Sequence, residues 1–399
     1  MSISRVVFLG GFFPDSKRKE IEVNSKGVIQ YAADALQQAI VKGMLVNSNN
    51  VVIVNSVYIG SYPKKYKKSK ISSYSFLINE DIEGFNVGFL NLPLYKFYSR
   101  YINVKKYLTK ITKKNDVIII YAIHTSFLKA AVDLKSTYPS LKICLIVPDL
   151  PSFMGGGNNF FERILKKVQE SIQKKLLNEV DAFVLLSDHM YRPLKVNNRP
   201  WVRVEGVFNN EDLIIEQKKE KLKTILYSGT LAKRYGIMNL LEAFSMIADE
   251  NYRLWICGDG DTKRELEKIS TADKRICYLG QVEREQVLKL QKRATVLVNP
   301  RDSKGEFTKY SFPSKTMEYL ASGTPSIIYK LEGIPEEYFN YCFVVENETP
   351  FSLSQTITLV CEKTEDELKE YGDKAKQFIL TNKTSEKQAK KIYNMLNKL

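Results

Sequence analysis

Tyr310-Ser311-Phe312-Pro313-Ser314-Lys315-Thr316-Met317-Glu318-Tyr319-Leu320-Ala321-Ser322-Gly323-Thr324-Pro325 holds a turn, a helix and the approach to a strand in one short stretch. Pro313-Ser314 reads as a turn opening a helix, with Ser314 as N-cap. Met317 stands three residues on, where a capping box would need Glu or Gln. Gly323-Thr324-Pro325 ends the helix and leads into an apolar strand at 326–329. A helix N-terminus presents free amides and a partial positive charge, which suits a diphosphate, and Lys315 adds a full charge. Glu318, one turn further, is spaced to accept two hydrogen bonds from a ribose diol.

Strands and helices alternate outward from this segment. Strands are predicted at 224–228, 252–257, 276–279, 295–298, 326–329 and 342–345, with helices at 238–247 and 314–321 among them. The first half shows a similar series. A strand at 5–9 ends in Gly10-Gly11, and Val28, Ala32, Ala35, Leu36 and Ile40 give helical spacing over 27–42. Further strands are predicted at 51–57, 116–122, 142–148 and 181–186. The run at 116–122 is apolar throughout, as a buried parallel sheet requires. A long amphipathic helix over 160–177 puts Ile164, Leu165, Val168, Ile172 and Leu176 on one side, flanked by Lys166, Lys167, Lys174 and Lys175. That apolar side is expected to cover a sheet; left free by the core, it would with its lysines be a candidate membrane contact. The polar stretch 209–220 reads as a hinge, and 365–399 as helical with a break near Thr381-Asn382. Two βα series imply an α/β chain of two doubly wound parallel-sheet domains, with ligands beyond the carboxyl ends of the strands, in the cleft between the domains.

The 399 residues are long enough for two such cores. Hydrophobic residues make up 44% and charged residues 26%, which excludes a disordered or fibrous chain. No apolar run is long enough to span a membrane. The N-terminal apolar stretch is too short for a signal peptide and lacks a cleavage site. Cys144, Cys257, Cys277, Cys342 and Cys361 are scattered in apolar contexts and read as thiols of a reducing cytoplasm. Two histidines, His124 and His189, exclude a histidine-rich metal site. Asn347-Glu348-Thr349 and Asn382-Lys383-Thr384 match glycosylation sequons by chance in such a chain.

The net charge of +15 is uneven. Residues 1–200 hold 29 Lys/Arg and 15 Asp/Glu; residues 201–399 hold 31 and 30. A basic first half suits an anionic partner, either membrane headgroups or a lipid pyrophosphate. No nucleic-acid module signature is present, so nucleic acid is not an expected partner. The sharpest basic run is Pro63-Lys64-Lys65-Tyr66-Lys67-Lys68-Ser69-Lys70, readable as a solvated loop or as an anion contact.

Four glycine turns follow predicted strands: Gly10-Gly11, Ser228-Gly229-Thr230, Gly258-Asp259-Gly260 and Gly280. Glycine there lets backbone amides approach an anion. Gly10-Gly11 does not match the dinucleotide fingerprint G-x-G-x-x-G, which disfavours hydride transfer. Asp259-Gly260-Asp261 lies in a glycine loop and is not assigned to a metal.

The stretch 310–325 resembles the donor-site motif of the retaining glycosyltransferases of family 4, which have the GT-B fold. Tyr227–Leu231, Gly236-Ile237 and 240–244 resemble the opening of that family's C-terminal domain. Residues 254–260 resemble its next strand and glycine loop, and 278–282, with Val282, the loop that holds the nucleobase. Residues 181–187 resemble the last strand of its N-terminal domain. The resemblance implies an acceptor domain at 1–208, a donor domain at 209–384 and a C-terminal helix at 385–399 packing back on the first domain. It departs from the family at three places. Tyr310 stands where the first of two motif glutamates is usual, Glu318 matching the second. Thr230 and Tyr235 stand where an arginine and a lysine usually grip the diphosphate. Lys233, Arg234 and Lys315 are near enough in sequence to substitute. Motifs of the Phe-Pro-Ser-Lys style mark a subgroup concerned with bacterial surface polysaccharides.

The resemblance implies sugar transfer from a nucleotide-diphosphate-sugar with retention, the departing phosphate oxygen taking the acceptor's proton, with no metal or other cofactor. His124, Lys233 and Glu318 are the expected catalytic residues. Gly10, Gly11, Gly229, Thr230, Arg234, Gly258, Gly280, Val282, Tyr310, Pro313, Ser314, Lys315 and Thr316 are the expected donor contacts. His124 follows the strand at 116–122, where the family has a histidine near the donor sugar; His189 reads as peripheral. The expected acceptor is a lipid-linked glycan or an oligosaccharide. The expected location is cytoplasmic, peripheral on the inner face of the membrane. A nucleotide-sugar epimerase or hydrolase and a non-catalytic binding partner are the alternatives.

Overall fold

The computed structural model describes residues 5–48, 50–78, 82–150, 160–209 and 217–399, the side chains of 160–167 excepted. Ile164, Leu165, Lys166, Lys167 and most of the hinge at 209–220 therefore lie outside the described residues. Met1–Val207 with Ser385–Leu399 form one compact unit, and Phe208–Thr384 the other.

In the first unit the chain runs β1 (Arg5–Gly10), α1 (Asp15–Asn24), α2 (Tyr31–Asn47), β2 (Val51–Asn55), β3 (Lys70–Ile71), β4 (Tyr74–Ile78), β5 (Ile82–Asn86) and β6 (Phe89–Leu90). It continues with α3 (Tyr95–Ile111), β7 (Asp116–Tyr121), α4 (Thr125–Thr137), β8 (Lys142–Val147), α5 (Phe160–Leu177), β9 (Ala182–Leu185) and β10 (Trp201–Arg203). The sheet order is β10-β9-β8-β7-β1-β2-β5-β4, parallel except for β4, which runs against β5. β1 and β7 are buried along almost their whole length, as their unbroken apolar runs require. Arg5 ties their starts together through a two-pronged pair with Asp116, Nε–Oδ1 at 3.0 Å and Nη2–Oδ2 at 2.6 Å.

The periodicity over 27–42 misplaces its helix. α2 starts at Tyr31, and Val28 is 94% exposed. The buried face of α2 carries polar Asp34 and Gln37 as well as Ile40, Val41 and Met44, so apolar spacing alone marks its start badly. Asp34 accepts the amide of Phe13 and pairs with Arg18, both at 2.7 Å, closing the turn after β1. The expected use of the 160–177 helix is also corrected. Val168 and Ile172 are exposed, while Gln173 is buried and donates to the Ile123 carbonyl and Thr125 Oγ1. α4, with Phe127, Leu128, Ala130, Ala131 and Leu134 buried, covers the sheet there, and α5 packs on α4.

The second unit runs β11 (Lys223–Ser228), α6 (Ile237–Ser245), β12 (Tyr252–Cys257), α7 (Lys263–Ala272), β13 (Ile276–Gly280), α8 (Arg284–Arg293) and β14 (Val296–Asn299). Then come α9 (Ser314–Ser322), β15 (Ser326–Tyr329), β16 (Phe343–Val345), α10 (Pro350–Cys361) and α11 (Glu365–Asn382). Its sheet is β13-β12-β11-β14-β15-β16, parallel throughout. The strand order reverses between β11 and β14, so the loops leaving these two strands bound the crevice where doubly wound sheets take ligands.

The last helix, α12 (Ser385–Leu396), returns to the first unit and lies on α2. Gly43 permits the close approach, because a Cβ there would fall 2.0 Å from the Ser385 carbonyl oxygen. Asn47 Nδ2 donates to the Glu386 carbonyl at 3.0 Å, and Gln388 Nε2 to that of Gly206 at 2.7 Å. Cys144, Cys257, Cys342 and Cys361 are buried and Cys277 half-buried, all as free thiols. Among the described residues no helix is long and apolar enough to cross a membrane.

Candidate active site

The β11 exit of the second unit is built around Gly229. Its φ of 153° disfavours any side chain, and a Cβ would fall 1.7 Å from Lys315 Nζ. The bare turn thus makes room for the Lys315 ammonium, which also lies 5.7 Å from the centre of the Tyr227 ring. Tyr227 is held by its hydroxyl, which donates to the Thr230 carbonyl at 2.7 Å. Lys315 is the second residue of α9. Among the described residues no carboxylate lies within ion-pairing distance of its ammonium. Burial pushes its pKa down, Glu318 opposes that shift and Arg301 adds to it.

Arg301 lies at the β14 exit and is absent from the sequence-predicted set. Its guanidinium packs over the rings of Tyr235 and Phe307, 5.6 and 4.9 Å from their centres, and Nη2 donates to Ser311 Oγ at 2.7 Å. Its buried Nε has no partner among the described residues. Burial lowers its pKa, with Tyr235 opposing and Arg234 adding to the shift. The turn Lys233–Tyr235 reaches this loop through Gly236, where a Cβ would meet the Pro300 carbonyl oxygen at 1.8 Å. Arg301 thus shares the crevice's charge with Lys315 on one side and Arg234 on the other, while Tyr235 offers its ring to two guanidiniums. Strand order was the missing signal: once β14 is known to neighbour β11, the residue after Asn299-Pro300 becomes a candidate.

Glu318 lies on the next turn of α9. Gln291 Nε2, fully buried, donates to Oε1 at 2.5 Å, and the exposed Arg284 donates to Oε2 at 3.2 Å. The buried contact orients the carboxylate, whereas a surface ion pair such as Arg284–Glu318 is worth about 0–1 kcal/mol and yields readily to a ligand.

The remaining predicted residues of this unit divide clearly. Lys233 is exposed, with its ammonium 3.6 Å from Glu265 and its amide donating to Asp261 Oδ1, so it is engaged at the surface. Thr230 is exposed, and Tyr310 reaches Glu306 Oε1 at 3.4 Å. Gly258 packs against the Gly229 backbone and its amide donates to the Gly280 carbonyl. Gly280, with φ of 70°, has open space where a Cβ would point. Val282 packs beside the buried Tyr319. Ser314 is not the N-cap of α9. Pro313 takes that place, and Ser314 begins the helix with no side-chain cap bond. Pro313 is already extended, so the helix enters directly, and the amide of Thr316 donates to the Pro313 carbonyl at 2.9 Å. The Thr316 side chain is buried against Asn299.

In the first unit the order reverses between β1 and β7, and both predicted features lie at those exits. Gly10 and Gly11 do not offer free amides. The Gly11 amide donates to Gln37 Oε1 at 2.7 Å, and the places of both Cβ atoms are filled, by Phe8 with Gln37 and by Tyr58. They are packing glycines. His124 caps α4 and stacks on Tyr58, with ring centres 5.3 Å apart and planes at 10°. Arg100 Nη1 lies 3.0 Å from its Nε2. A guanidinium only donates, so Nε2 accepts and the proton sits on Nδ1, which is buried with no partner among the described residues. Burial, then Arg100 and Lys96, hold its pKa well below the usual histidine value, so the ring is neutral near pH 7.

Residues 209–378 match the family described as Glycosyl transferases group 1. Among curated proteins none matches the chain. Solved structures share the whole GT-B fold. Sucrose-phosphate synthase from Thermosynechococcus elongatus has a TM-score of 0.64 at 14% identity, covering 99% of this chain and 98% of that one. Anabaena HepE, solved with UDP, has a TM-score of 0.64 at 11% identity, covering 99% and 100%. A trehalose-phosphate synthase (UDP-forming) from Burkholderia vietnamiensis has 0.66 at 10%, covering 100% and 99%. The group 1 segment contains the whole Gly229–Arg301–Lys315–Glu318 cluster.

Proposed function

We propose that the chain is a retaining glycosyltransferase of the family 4 type. It moves a sugar from a nucleotide-diphosphate-sugar to a lipid-linked or oligosaccharide acceptor in bacterial surface-polysaccharide synthesis, at the inner face of the membrane. The observation that carries this is the Lys315 ammonium, lodged against the bare Gly229 turn with Arg301 nearby and Glu318 one helical turn away. Cations that have no carboxylate partner among the described residues, gathered at a crevice inside the segment that matches the group 1 family, suit a diphosphate; a carboxylate one turn on suits a ribose diol. In the step proposed, the bond from the sugar's anomeric carbon to the diphosphate oxygen breaks. The acceptor oxygen bonds to that carbon on the same face, and its proton passes to the departing phosphate oxygen. Lys315, Arg301 and the first amides of α9 stabilise the charge growing on the leaving group, with no metal required. The first unit is proposed to bind the acceptor, with the neutral His124 ring at the carboxyl end of β7 beside it.

The test is a panel of nucleotide-sugars screened by thermal stabilisation, followed by product analysis with and without acceptor. Glu318→Ala is expected to weaken nucleotide binding by roughly ten- to a hundredfold, since hydrogen bonds to a charged group are worth about 1.5–3 kcal/mol. A folded variant that binds nucleotide as the wild type does would remove Glu318 from the site. Donor binding with no turnover on any acceptor would favour a binding partner that does no chemistry.

A further inference from the structure

We infer that the first half of α3, with the lysine loop beside it, is a docking face for an anionic bilayer. The inference deepens the membrane part of the proposed function by naming the surface. α3 begins inside out. Lys96, Ser99 and Arg100 are buried, whereas Tyr95, Phe97, Tyr98 and Ile102 are exposed, and Leu94 just before them is 70% exposed. The buried cations are held by carbonyls and rings: Lys96 donates to the Ile59 carbonyl, and Arg100 to that of Val57 at 2.7 Å and to His124 Nε2, with its guanidinium 3.9 Å from the Phe89 ring centre and its Nε without a partner among the described residues. Among the described residues neither has a carboxylate partner. A helix serving only its own core would turn the aromatic residues inward and the cations outward. This one keeps its apolar side for something outside the chain.

The charge around that side says what. β3 pairs with β6, and Asn91 binds the loop before β3, its amide donating to the Ser69 carbonyl and its Nδ2 to those of Gly60 and Lys68. The exposed Lys64, Lys65 and Lys70 therefore border exposed Leu90 and Leu92 and the start of α3, while the exposed Lys67 donates to the Val23 carbonyl of α1 at 2.7 Å. Residues 59–78 and 86–102 together hold seven Lys/Arg and no Asp or Glu; Lys96 and Arg100 are buried and Lys68 pairs with Glu20 of α1, which leaves the other four as the exposed charge of this face. A second copy placed on this face would set like charges against each other. An anionic bilayer meets both features at once. Its headgroups attract lysines at about 1 kcal/mol each, and its interfacial zone takes tyrosine, phenylalanine and aliphatic side chains. Phe97 links the face to His124, with ring centres 6.2 Å apart, so an acceptor held in that bilayer would arrive beside the histidine.

The test is co-sedimentation of the full chain with vesicles of phosphatidylcholine alone and of equal parts phosphatidylglycerol and phosphatidylcholine, at low and high salt. Wild type is expected to prefer the anionic vesicles. The triple variant Leu94→Gln, Tyr98→Gln, Ile102→Gln changes exposed side chains and should bind about tenfold or more weakly at both salts. Changing Lys64, Lys65, Lys67 and Lys70 to Gln should weaken binding at low salt and little at high salt. Nucleotide-induced thermal stabilisation should be unchanged in both variants. Absence of wild-type binding to either vesicle, or a triple variant that binds like wild type, would overturn the inference. So would a concentration-dependent dimer that the triple variant abolishes without any vesicle binding. If no nucleotide-sugar binds while the vesicle results hold, the donor reading fails and the docking face stands.

Discussion

Lys315→Ala and Arg301→Ala are each expected to lower turnover with a nucleotide-sugar by about a hundredfold, and the two together by less than the product of the separate losses. Removing one preorganised group that stabilises developing charge costs roughly 10²–10³ in rate. On the proposed reading both cations lie where the diphosphate leaves. The loss should therefore appear in kcat more than in KM, because their interaction strengthens as negative charge builds. The losses should not multiply, since each ion feels the other's field. Arg301→Lys should recover part of the rate. It keeps the charge but loses the planar packing over Tyr235 and Phe307 and the bond to Ser311. Lys233→Ala is the contrasting case. Its ammonium is exposed and beside Glu265, so its loss should change turnover by no more than a few-fold. Steady-state kinetics on these variants decide the matter. Wild-type rates for both Lys315→Ala and Arg301→Ala would mean that neither ion serves the leaving group.

That contrast also shows how far residues alone could lead. The stretch 310–325 gave the helix with Lys315 and Glu318, because proline, glycine and apolar spacing mark local structure directly. Lys233 and Arg301 divided differently. Distance along the chain made Lys233 a substitute for a missing cation; its exposed ammonium lies 3.6 Å from Glu265. Arg301 lies 66 positions from Tyr235 in sequence yet packs on its ring, because β14 neighbours β11 in the sheet. Strand order is a long-range property that apolar runs do not encode. The glycine turns show the same limit. Gly229 and Gly10-Gly11 look alike after their strands, but one admits a lysine and the others admit core side chains. α3 escaped periodicity for a different reason. Its pattern is inverted in its first half, and a reading that assumes apolar means inside cannot place it.

The inversion makes a second large effect measurable, in stability. Burial, then Arg100 and Lys65, pull the Lys96 pKa down from its ordinary value to about 7. In the unfolded chain the amine keeps its ordinary value near 10.4. Between these values the unfolded state binds one more proton, so stability must rise with pH, by up to about 1.4 kcal/mol per pH unit. From pH 7 to 8.5 that is about 2 kcal/mol. Above this window a second linkage opposes it. Cys144, Cys257, Cys342 and Cys361 have thiols raised by burial, so they ionise first in the unfolded chain, and stability then falls as pH rises. His124 acts at the other end: its lowered value makes the unfolded chain the better proton acceptor below about pH 6.5. Wild type should therefore gain stability from pH 7 to 8.5 and level off or decline beyond. Lys96→Met should remove the gain and leave the decline, and at pH 7 it should be at least as stable as wild type, because an apolar side chain of similar length replaces a poorly solvated amine. Urea unfolding across this range measures both curves. Parallel curves for the two proteins would show that Lys96 keeps an ordinary pKa in the folded chain, and that its ammonium is solvated at the start of α3.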